Sequence, residues 1–374
     1  MNALTIDRVR AYAVGPPVER YRWAHDMKPQ FVTLTLLRVT TKGGLEGIGA
    51  EMTYGGLGFD ATLAETLRLL APALLGRNAL DRAPLRAHVL HEGGGASSQA
   101  LGMMDIALWD IAGRHAGLPI WKMLGGARET IPAYASTNTL DHPQAYVDHV
   151  AEILELGYTA IKFHCFCDYA QDVQLVEAVH KAHGSKGLRL MLDVEQRYSR
   201  EEALRMAHRL EELDYAWFEA PMPDVDLAGY AELRRRTSLP ILPAGNSILA
   251  LPILARALEM GCWSALRVAA TRMGGIGEAA KAVALAEAHN LPAELQSWGY
   301  TPVQATNLHL MLGLGRTAYF EQPYPYSALE YGAKTVIRPD AKGLVRAPEG
   351  NGLGIEMDWD AIASAAITSY DSSV

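Results

Sequence analysis

The chain has 374 residues, enough for an α/β barrel of about 250 residues and a second unit of roughly a hundred. Hydrophobic residues make up 49% and charged residues 20%, which allows a large buried core and argues against disorder. The formal net charge of −8 argues against nucleic acid as a partner, because the chain has no basic stripe to neutralise phosphates.

Neither a targeting segment nor a membrane span is expected. The opening MNALTIDRVRAY lacks a basic region followed by an apolar one, and no run of about 18 apolar residues occurs. Three cysteines do not make a disulfide framework, and Cys165 and Cys167 are too close together for the usual zinc spacing. We therefore expect free thiols and a cytoplasmic protein.

The first part of the chain, about 125 residues, predicts an α+β unit. Residues 32–43 have strand character and end in a Lys-Gly-Gly turn. The glycine-rich stretch 45–58 suits a hairpin and a mobile loop. Helical segments follow at 61–75 and 102–124, and apolar residues recur in the second at helical spacing.

From residue 130 the pattern changes to alternating strands and helices. Helical stretches such as 143–157 and 275–290 separate short apolar strands, which predicts a parallel α/β barrel. The loop-rich tail from about residue 324 is expected to return to the first unit. The eight candidate strands are 131–136, 160–166, 188–195, 216–221, 240–246, 265–270, 292–297 and 318–323.

Acidic and amide side chains follow three successive strands. Asp193, Glu219 and Asn246 are spaced 26 and 27 residues apart, about the length of one barrel unit. They are therefore expected on neighbouring strands at the carboxyl face, where oxygen ligands of this kind suit Mg²⁺. Lys162 and His164 lie two residues apart on an earlier strand and point the same way. A nearby divalent cation favours the neutral form of a lysine, which could then act as a base.

These segments together resemble the mandelate racemase/muconate lactonizing enzyme branch of the enolase superfamily, over nearly the whole chain. Each motif is weak alone, but their order and spacing make the resemblance specific. The matching segments are MMDIALWDIAGRHAGLPIWKMLGG (103–126), LDVEQ, WFEAP, AGNS, RMGGIGEAAKAVALAEAHNLP (272–292) and NGLGIE.

The resemblance implies a modified TIM barrel, (β/α)7β, with an α+β capping domain formed by both chain ends. The corresponding boundaries are 1–128 for the N-terminal part of the cap, 129–325 for the barrel and 326–374 for the returning tail. It also implies one Mg²⁺, a small carboxylate substrate, and abstraction of the α-proton to give an enediolate. A homo-oligomer is expected on the same grounds.

The chain departs from the family pattern at the metal site and at the base. Asn246 occupies the third ligand position, where Glu is usual, so the ligand charge falls from −3 to −2. Glu195 faces the same way as Asp193 and either compensates or pairs with Lys162 or Arg197. His164 replaces the second lysine of a Lys-x-Lys pair and is a plausible proton acceptor, although a lone histidine inside a barrel is more often structural.

The opposite face of the site lacks the family's second base. Ala269 occupies the position of the aspartate or lysine of the two subgroups, and Gln296 occupies the position of the histidine. Glu321 remains at the last strand, where the family has an acid that binds the substrate carboxylate or enolate. Racemisation needs groups on both faces, so the sequence favours a one-face reaction, with Tyr300 and Glu294 as alternative acids.

Specificity is expected to come from the cap. Trp23, His25 and the glycine-rich stretch 54–58 lie where the family's mobile loops cover the substrate, and glycines permit a hinge there. Trp23 and His25 could equally be surface residues.

Three functions follow from these observations. The leading hypothesis is a Mg²⁺-dependent lyase that dehydrates a sugar acid, with His164 or Lys162 removing the α-proton. An isomerase, either an epimerase or a cycloisomerase using a residue such as Tyr300 as second acid, is the runner-up. The third is a barrel that has lost catalysis and binds a carboxylate.

Overall fold

The computed structural model describes residues 3–16, 22–24, 33–53, 57–93 and 97–374. Within these residues no helix is both long and apolar enough to cross a membrane. The predicted oligomeric state and cytoplasmic location stay predictions.

The N-terminal unit is an antiparallel sheet covered by helices. Its strands lie in the order β13-β1-β2-β3, so a strand from the tail forms one edge. Gly47 and Gly49 let β3 lie directly on helix α3, because a Cβ at either position would be 2.0 Å from a helix carbonyl oxygen. The elements are β1 (Ile6–Val14), β2 (Thr33–Thr41), β3 (Glu46–Thr53), α1 (Leu57–Leu74), α2 (Arg82–Gly93), α3 (Ser98–Ala116) and α4 (Ile120–Met123).

The middle of the chain forms an eight-stranded parallel barrel, as predicted. Ladders join β11-β4-β5-β6-β7-β8 and β10-β9. The backbone N–H of Ser264 bonds to Ile241 O and closes the gap before β9, and Ser297 bonds Glu321 at the other gap. The strands are β4 (Thr130–Ser136), β5 (Ala160–His164), β6 (Arg189–Asp193), β7 (Trp217–Glu219), β8 (Ile241–Leu242), β9 (Leu266–Val268), β10 (Ala293–Leu295) and β11 (Phe320–Pro323).

Helices connect the barrel strands and cover their outer surface. Local signals set their ends: Ser199 and Glu202 form a capping box at the start of α7, and Asp168 caps α6. The helices are α5 (Pro143–Glu155), α6 (Tyr169–His183), α7 (Arg200–Glu212), α8 (Leu227–Arg236), α9 (Leu251–Glu259), α10 (Ala270–Met273), α11 (Ile276–Ala288) and α12 (Thr301–Leu314).

The tail contacts both units. Its first strand, β12 (Leu344–Arg346), pairs antiparallel with β4 of the barrel. After α13 (Trp359–Ser364), β13 (Ala366–Ser373) pairs antiparallel with β1. The tail therefore adds a strand to the N-terminal sheet, while the boundaries at 128/129 and 325/326 stay predictions.

Inward-facing side chains fill the barrel interior in layers, as in parallel barrels generally. The deepest apolar layer forms its own cluster, separate from the core between strands and helices. The layer above it carries charge and forms the floor of the site described next. The apolar cluster contains Tyr134, Ala160, Met191, Ala216, Trp217, Leu242 and Ala265.

Candidate active site

A ring of four alternating charges lies across the barrel interior. Lys162, Glu219, Arg267 and Glu321 come from β5, β7, β9 and β11, that is, from every second strand. Each cation lies 2.8 Å from each of the two carboxylates, so the ring is closed. All four residues are almost fully buried. A buried ion pair is tolerated only when its geometry and hydrogen bonding are good. Each cation here contacts two carboxylates, while Nε and Nη1 of Arg267 have no hydrogen-bond partner among the described residues.

The ring holds Lys162 and Glu321 in their charged forms. Burial lowers a lysine pKa, but the carboxylates of Glu219 and Glu321 hold the pKa of Lys162 well above its ordinary value. Burial also opposes ionisation of Glu321, but Lys162 and Arg267 outweigh it and lower the pKa of that carboxyl. Burial raises the pKa of Glu219 to about 7, against the effect of the two cations. Without a metal ion the surroundings therefore favour the ammonium form of Lys162. The neutral form expected from the sequence depends on a divalent cation beside it and stays a prediction.

His164 lies one layer above the ring, at the end of β5. Its Nδ1 atom lies within hydrogen-bond distance of Thr137 O, and a carbonyl only accepts, so Nδ1 carries the proton. Its Nε2 atom keeps a lone pair and lies 3.5 Å from Asp193 Oδ2 and 3.6 Å from Glu195 Oε1. Burial, followed by the Lys162 charge, lowers the pKa of His164 to about 4, so its imidazole is neutral at pH 7.

Asp193 connects the histidine to the charged ring. Its Oδ2 atom accepts from Lys162 Nζ at 3.3 Å, and its Oδ1 atom accepts from the backbone N–H of Glu195 at 3.0 Å. Ligand atoms of His164, Asp193 and Glu195 all lie within 4.8 Å of one another. Glu195 is the most exposed of the three, with 30% of its side chain accessible.

The backbone is left-handed at the ends of three successive strands. Cys167 follows β5 at φ 57°, Glu195 and Gln196 follow β6 at 50° and 63°, and Ala220 follows β7 at 48°. Residues other than glycine adopt this conformation at a cost and only where the surroundings hold them, often at functional sites. The N–H of Gln196 bonds to Ala220 O at 2.8 Å, which locks two of these ends together.

Asn246 follows β8 and is held from two sides. Its side-chain Oδ1 accepts a hydrogen bond from Arg272, whose Nε lies 3.8 Å from Glu51 of the N-terminal sheet. Its backbone N–H, with that of Gly245, bonds to the buried carboxylate of Asp224. The amide oxygen keeps a second lone pair, so it can still serve as a metal ligand.

The strands opposite His164 present groups unsuited to proton transfer. Ala269 follows β9, and Gln296 after β10 donates from Nε2 to Ala244 O at 2.6 Å. Glu294 accepts from the N–H of Ala318, before β11 begins, so it belongs to the amino end of the barrel, away from the site. Tyr300 is fully buried at the start of α12.

Trp23 packs against the mouth of the barrel. Its ring lies 5.4 Å from that of Trp298 in an edge-to-face arrangement, and it is 5% exposed. The backbone oxygen of Arg22 accepts from Thr139, after β4. The Trp23 segment therefore crosses strand ends close to His164. His25 and residues 54–56 of the glycine-rich stretch lie outside the described residues, and 57–58 begin α1.

Arg267 was missed in the sequence analysis, although a signal was present. It is the one charged residue in the apolar strand ALRVAA and points inward with Ala265 and Ala269. A charge at an inward position of a buried strand needs partners, and the inward carboxylates at Glu219 and Glu321 were the available ones.

The donor set fits a divalent cation. Carboxylate and amide oxygens predominate, and hard cations such as Mg²⁺ prefer oxygen. Four carboxylates converge among the described residues of the barrel mouth, against two interior cations and Arg272 beside Asn246, so an oxygen-rich site with excess negative charge is available to a divalent cation. The carboxylates are Asp193, Glu195, Glu219 and Glu321, and the cations are Lys162 and Arg267.

Comparison with known proteins agrees with this architecture. The family described as Enolase C-terminal domain-like matches residues 145–361. The Mandelate racemase / muconate lactonizing enzyme N-terminal domain matches residues 22–125. The chain belongs to the mandelate racemase/muconate lactonizing enzyme family of the enolase superfamily, and it is an enzyme of that superfamily.

Relatives within the family carry out several reactions. A 3,6-anhydro-alpha-L-galactonate cycloisomerase of Streptomyces coelicolor is 29% identical over 97% of this chain and 99% of its own. A crystal structure of a protein from Pseudovibrio sp., assigned to the mandelate racemase/muconate lactonizing enzymes, is 41% identical with a TM-score of 0.96 over both full chains. The magnesium complex of D-glucarate dehydratase from Agrobacterium tumefaciens is 26% identical, with a TM-score of 0.83 over 98% of this chain and all of its own.

Proposed function

We propose that this enzyme is a Mg²⁺-dependent lyase that dehydrates a sugar acid. His164 is the base in this proposal. The observation behind it is an asymmetric site. On one side, His164 is a neutral imidazole whose Nε2 keeps its lone pair, and on the other side the strands end in Ala269 and Gln296. Such a site can move protons on one face of the α-carbon, and an elimination requires no more.

The metal would be held by Asp193, Glu219 and Asn246, with Glu195 near enough to take part. Mg²⁺ bound there would lower the free-energy cost of the negative charge that develops on the substrate carboxylate as the proton leaves. The carboxylates of Asp193 and Glu219 are already restrained by hydrogen bonds, so these side chains need to move little when the metal binds.

His164 Nε2 takes the proton from the α-carbon, and the electron pair left behind expels the β-hydroxyl. The hydroxyl leaves as water after it receives the proton that the histidine took, so atoms and charge balance. Lys162 stays protonated and stabilises negative charge beside the reacting carboxylate. The enol product then rearranges to a 2-keto-3-deoxy acid.

A panel of aldonic and aldaric acids, incubated with enzyme and Mg²⁺ and assayed for 2-keto acid, tests the proposal. His164→Asn should lower kcat by about 10²–10⁴-fold, the usual contribution of a general base. His183→Asn is the matched control, because His183 is also buried but bonds Val147 O far from the site. Turnover of no panel member, or equal activity of the two variants, would overturn the proposal.

A cycloisomerase is the second candidate. The relative from Streptomyces coelicolor covers nearly the whole chain, and a structure of a 3,6-anhydro-D-galactonate cycloisomerase from Zobellia galactanivorans has a TM-score of 0.84. Such a reaction keeps the mass of the substrate, whereas dehydration lowers it by one water. Mass spectrometry of the product therefore separates the two. An epimerase would need a second acid, and the buried Tyr300 is the candidate named for it.

A further inference from the structure

The carboxylate of Glu219 is engaged on both oxygens. Lys162 Nζ donates to Oε1 at 2.8 Å, and Arg267 Nη2 lies 2.8 Å from the same atom. Trp217 Nε1 donates to Oε2 at 3.2 Å. A carboxylate has about four lone-pair positions, two on each oxygen. Among the described residues, Lys162 therefore takes one position on Oε1, beside which the Arg267 cation also lies, and Trp217 takes one position on Oε2. This leaves an open position on Oε2 with neither of these cations against that oxygen.

Trp217 is well placed to define the direction of that open position. It precedes Glu219 by two residues on β7, so both side chains enter the barrel. The indole is 6% exposed and packs edge-to-face on Tyr134, with ring centroids 5.5 Å apart. Tyr319 contacts another side of it, at 6.2 Å. Because neighbouring rings confine the indole, its N–H points in a fixed direction.

We infer that Trp217 is a positioning residue that presents Oε2 of Glu219 to the divalent cation as a one-oxygen ligand. This inference rests on the proposed metal site. Hydrogen-bonded partners of metal ligands generally fix the ligand's orientation and contribute strongly to metal affinity. The sequence motif WFEAP thus contains both a ligand and the group that orients it.

The neutral indole differs from the two cations on Glu219. Lys162 and Arg267 restrain Oε1 but also repel a metal ion. Removing either one loosens Glu219, which weakens metal binding, and removes a positive charge, which strengthens it. Trp217 restrains Oε2 without adding charge. A substitution at Trp217 therefore has one expected sign, which is weaker metal binding.

Calorimetric titration of Mg²⁺ into metal-free Trp217→Phe tests the inference. Phenylalanine keeps an aromatic ring but removes the N–H, and we expect about 10–100-fold weaker binding than in wild type. Trp263→Phe is the matched control. Trp263 is also buried, packs on Tyr230, and has no hydrogen-bond partner for its Nε1 among the described residues. Its Mg²⁺ affinity should stay within about two-fold of wild type.

Equal Mg²⁺ affinity of the two variants would overturn the inference. If Trp217→Phe does not fold, a crystal structure of Mg²⁺-loaded wild type decides. Ligation through Oε2 alone, with the indole bond kept, supports the inference, and ligation through Oε1 or through both oxygens overturns it. Failure of the metal site itself has a different result, since wild type would then bind no Mg²⁺ at all.

Discussion

Arg267→Met is the sharpest test of the charged ring. Methionine replaces the apolar stem of arginine but removes the guanidinium that lies 2.8 Å from both Glu219 and Glu321. The two buried carboxylates would then share Lys162 alone, leaving one interior negative charge without a partner. Breaking a buried ion pair in this way costs about 3–5 kcal/mol of unfolding free energy.

The loss can be converted to a melting temperature. For 374 residues the unfolding entropy is about 0.8 kcal/mol/K, so the expected decrease in Tm is about 4–6 °C. Differential scanning calorimetry of metal-free protein measures it. Arg236→Met is the control, because its ion pair with Glu232 is exposed and should contribute less than about 1 kcal/mol.

The coupling within the ring gives a second measurement. In a Glu321→Gln background one of the two carboxylates is already neutral, so Arg267→Met should cost less than in wild type. A decrease in Tm of less than 1 °C, equal to that of Arg236→Met, would refute the view that the ring is a coupled charge network.

Three further predictions concern stability and metal binding. His309 is buried, accepts from Trp121 N at Nδ1 and bonds Leu353 O through Nε2, and burial lowers its pKa to about 4. Since the pKa of the unfolded histidine is about 6.5, the contribution of neutral His309 to the free energy of unfolding is complete above pH 6.5 and is lost as pH falls towards 4. The loss is about 3 kcal/mol in all. Denaturant titrations across this pH range measure it, and His309→Gln should remove the dependence. Asn246→Glu should tighten Mg²⁺ binding in calorimetry, because the ligand charge returns to −3; weaker binding would mean that the new carboxylate pairs with Arg272 instead. Gly49→Ala places a Cβ 2.0 Å from Met103 O, so we expect β3 to be displaced from α3 at a cost of about 3 kcal/mol or more, and an unchanged Tm would contradict this packing.

The eight barrel strands were predicted from the sequence because each is a short apolar run separated from the next by a helical stretch. Their cores were correct, while strands such as 240–246 proved shorter, since Ile241–Leu242 alone form the ladder of β8. The direction of Asp193, Lys162 and His164 also follows from a period of two along a strand. Local patterns of this kind are visible in one sequence.

Contacts between distant strands are not visible in this way. The hydrogen bond from Arg272, in helix α10, to Asn246, after β8, depends on side-chain reach that no spacing specifies. Glu294 looked like a site residue because it is an acid on a barrel strand, but its position along the strand places it at the amino end. The alternating ring likewise depends on the stagger of strands around the barrel, which sets which residues share a layer.

The layered interior has a consequence for how new activities can arise on this scaffold. Members of the ring depend on one another, so a single change there costs stability before any benefit appears, and the floor is expected to change only through paired substitutions. Ala269 and Gln296 lie above it, outside the ring, and can change one at a time. Evolution, or a designer, can therefore add a second acid or base at these two positions while the charged ring beneath them stays unchanged.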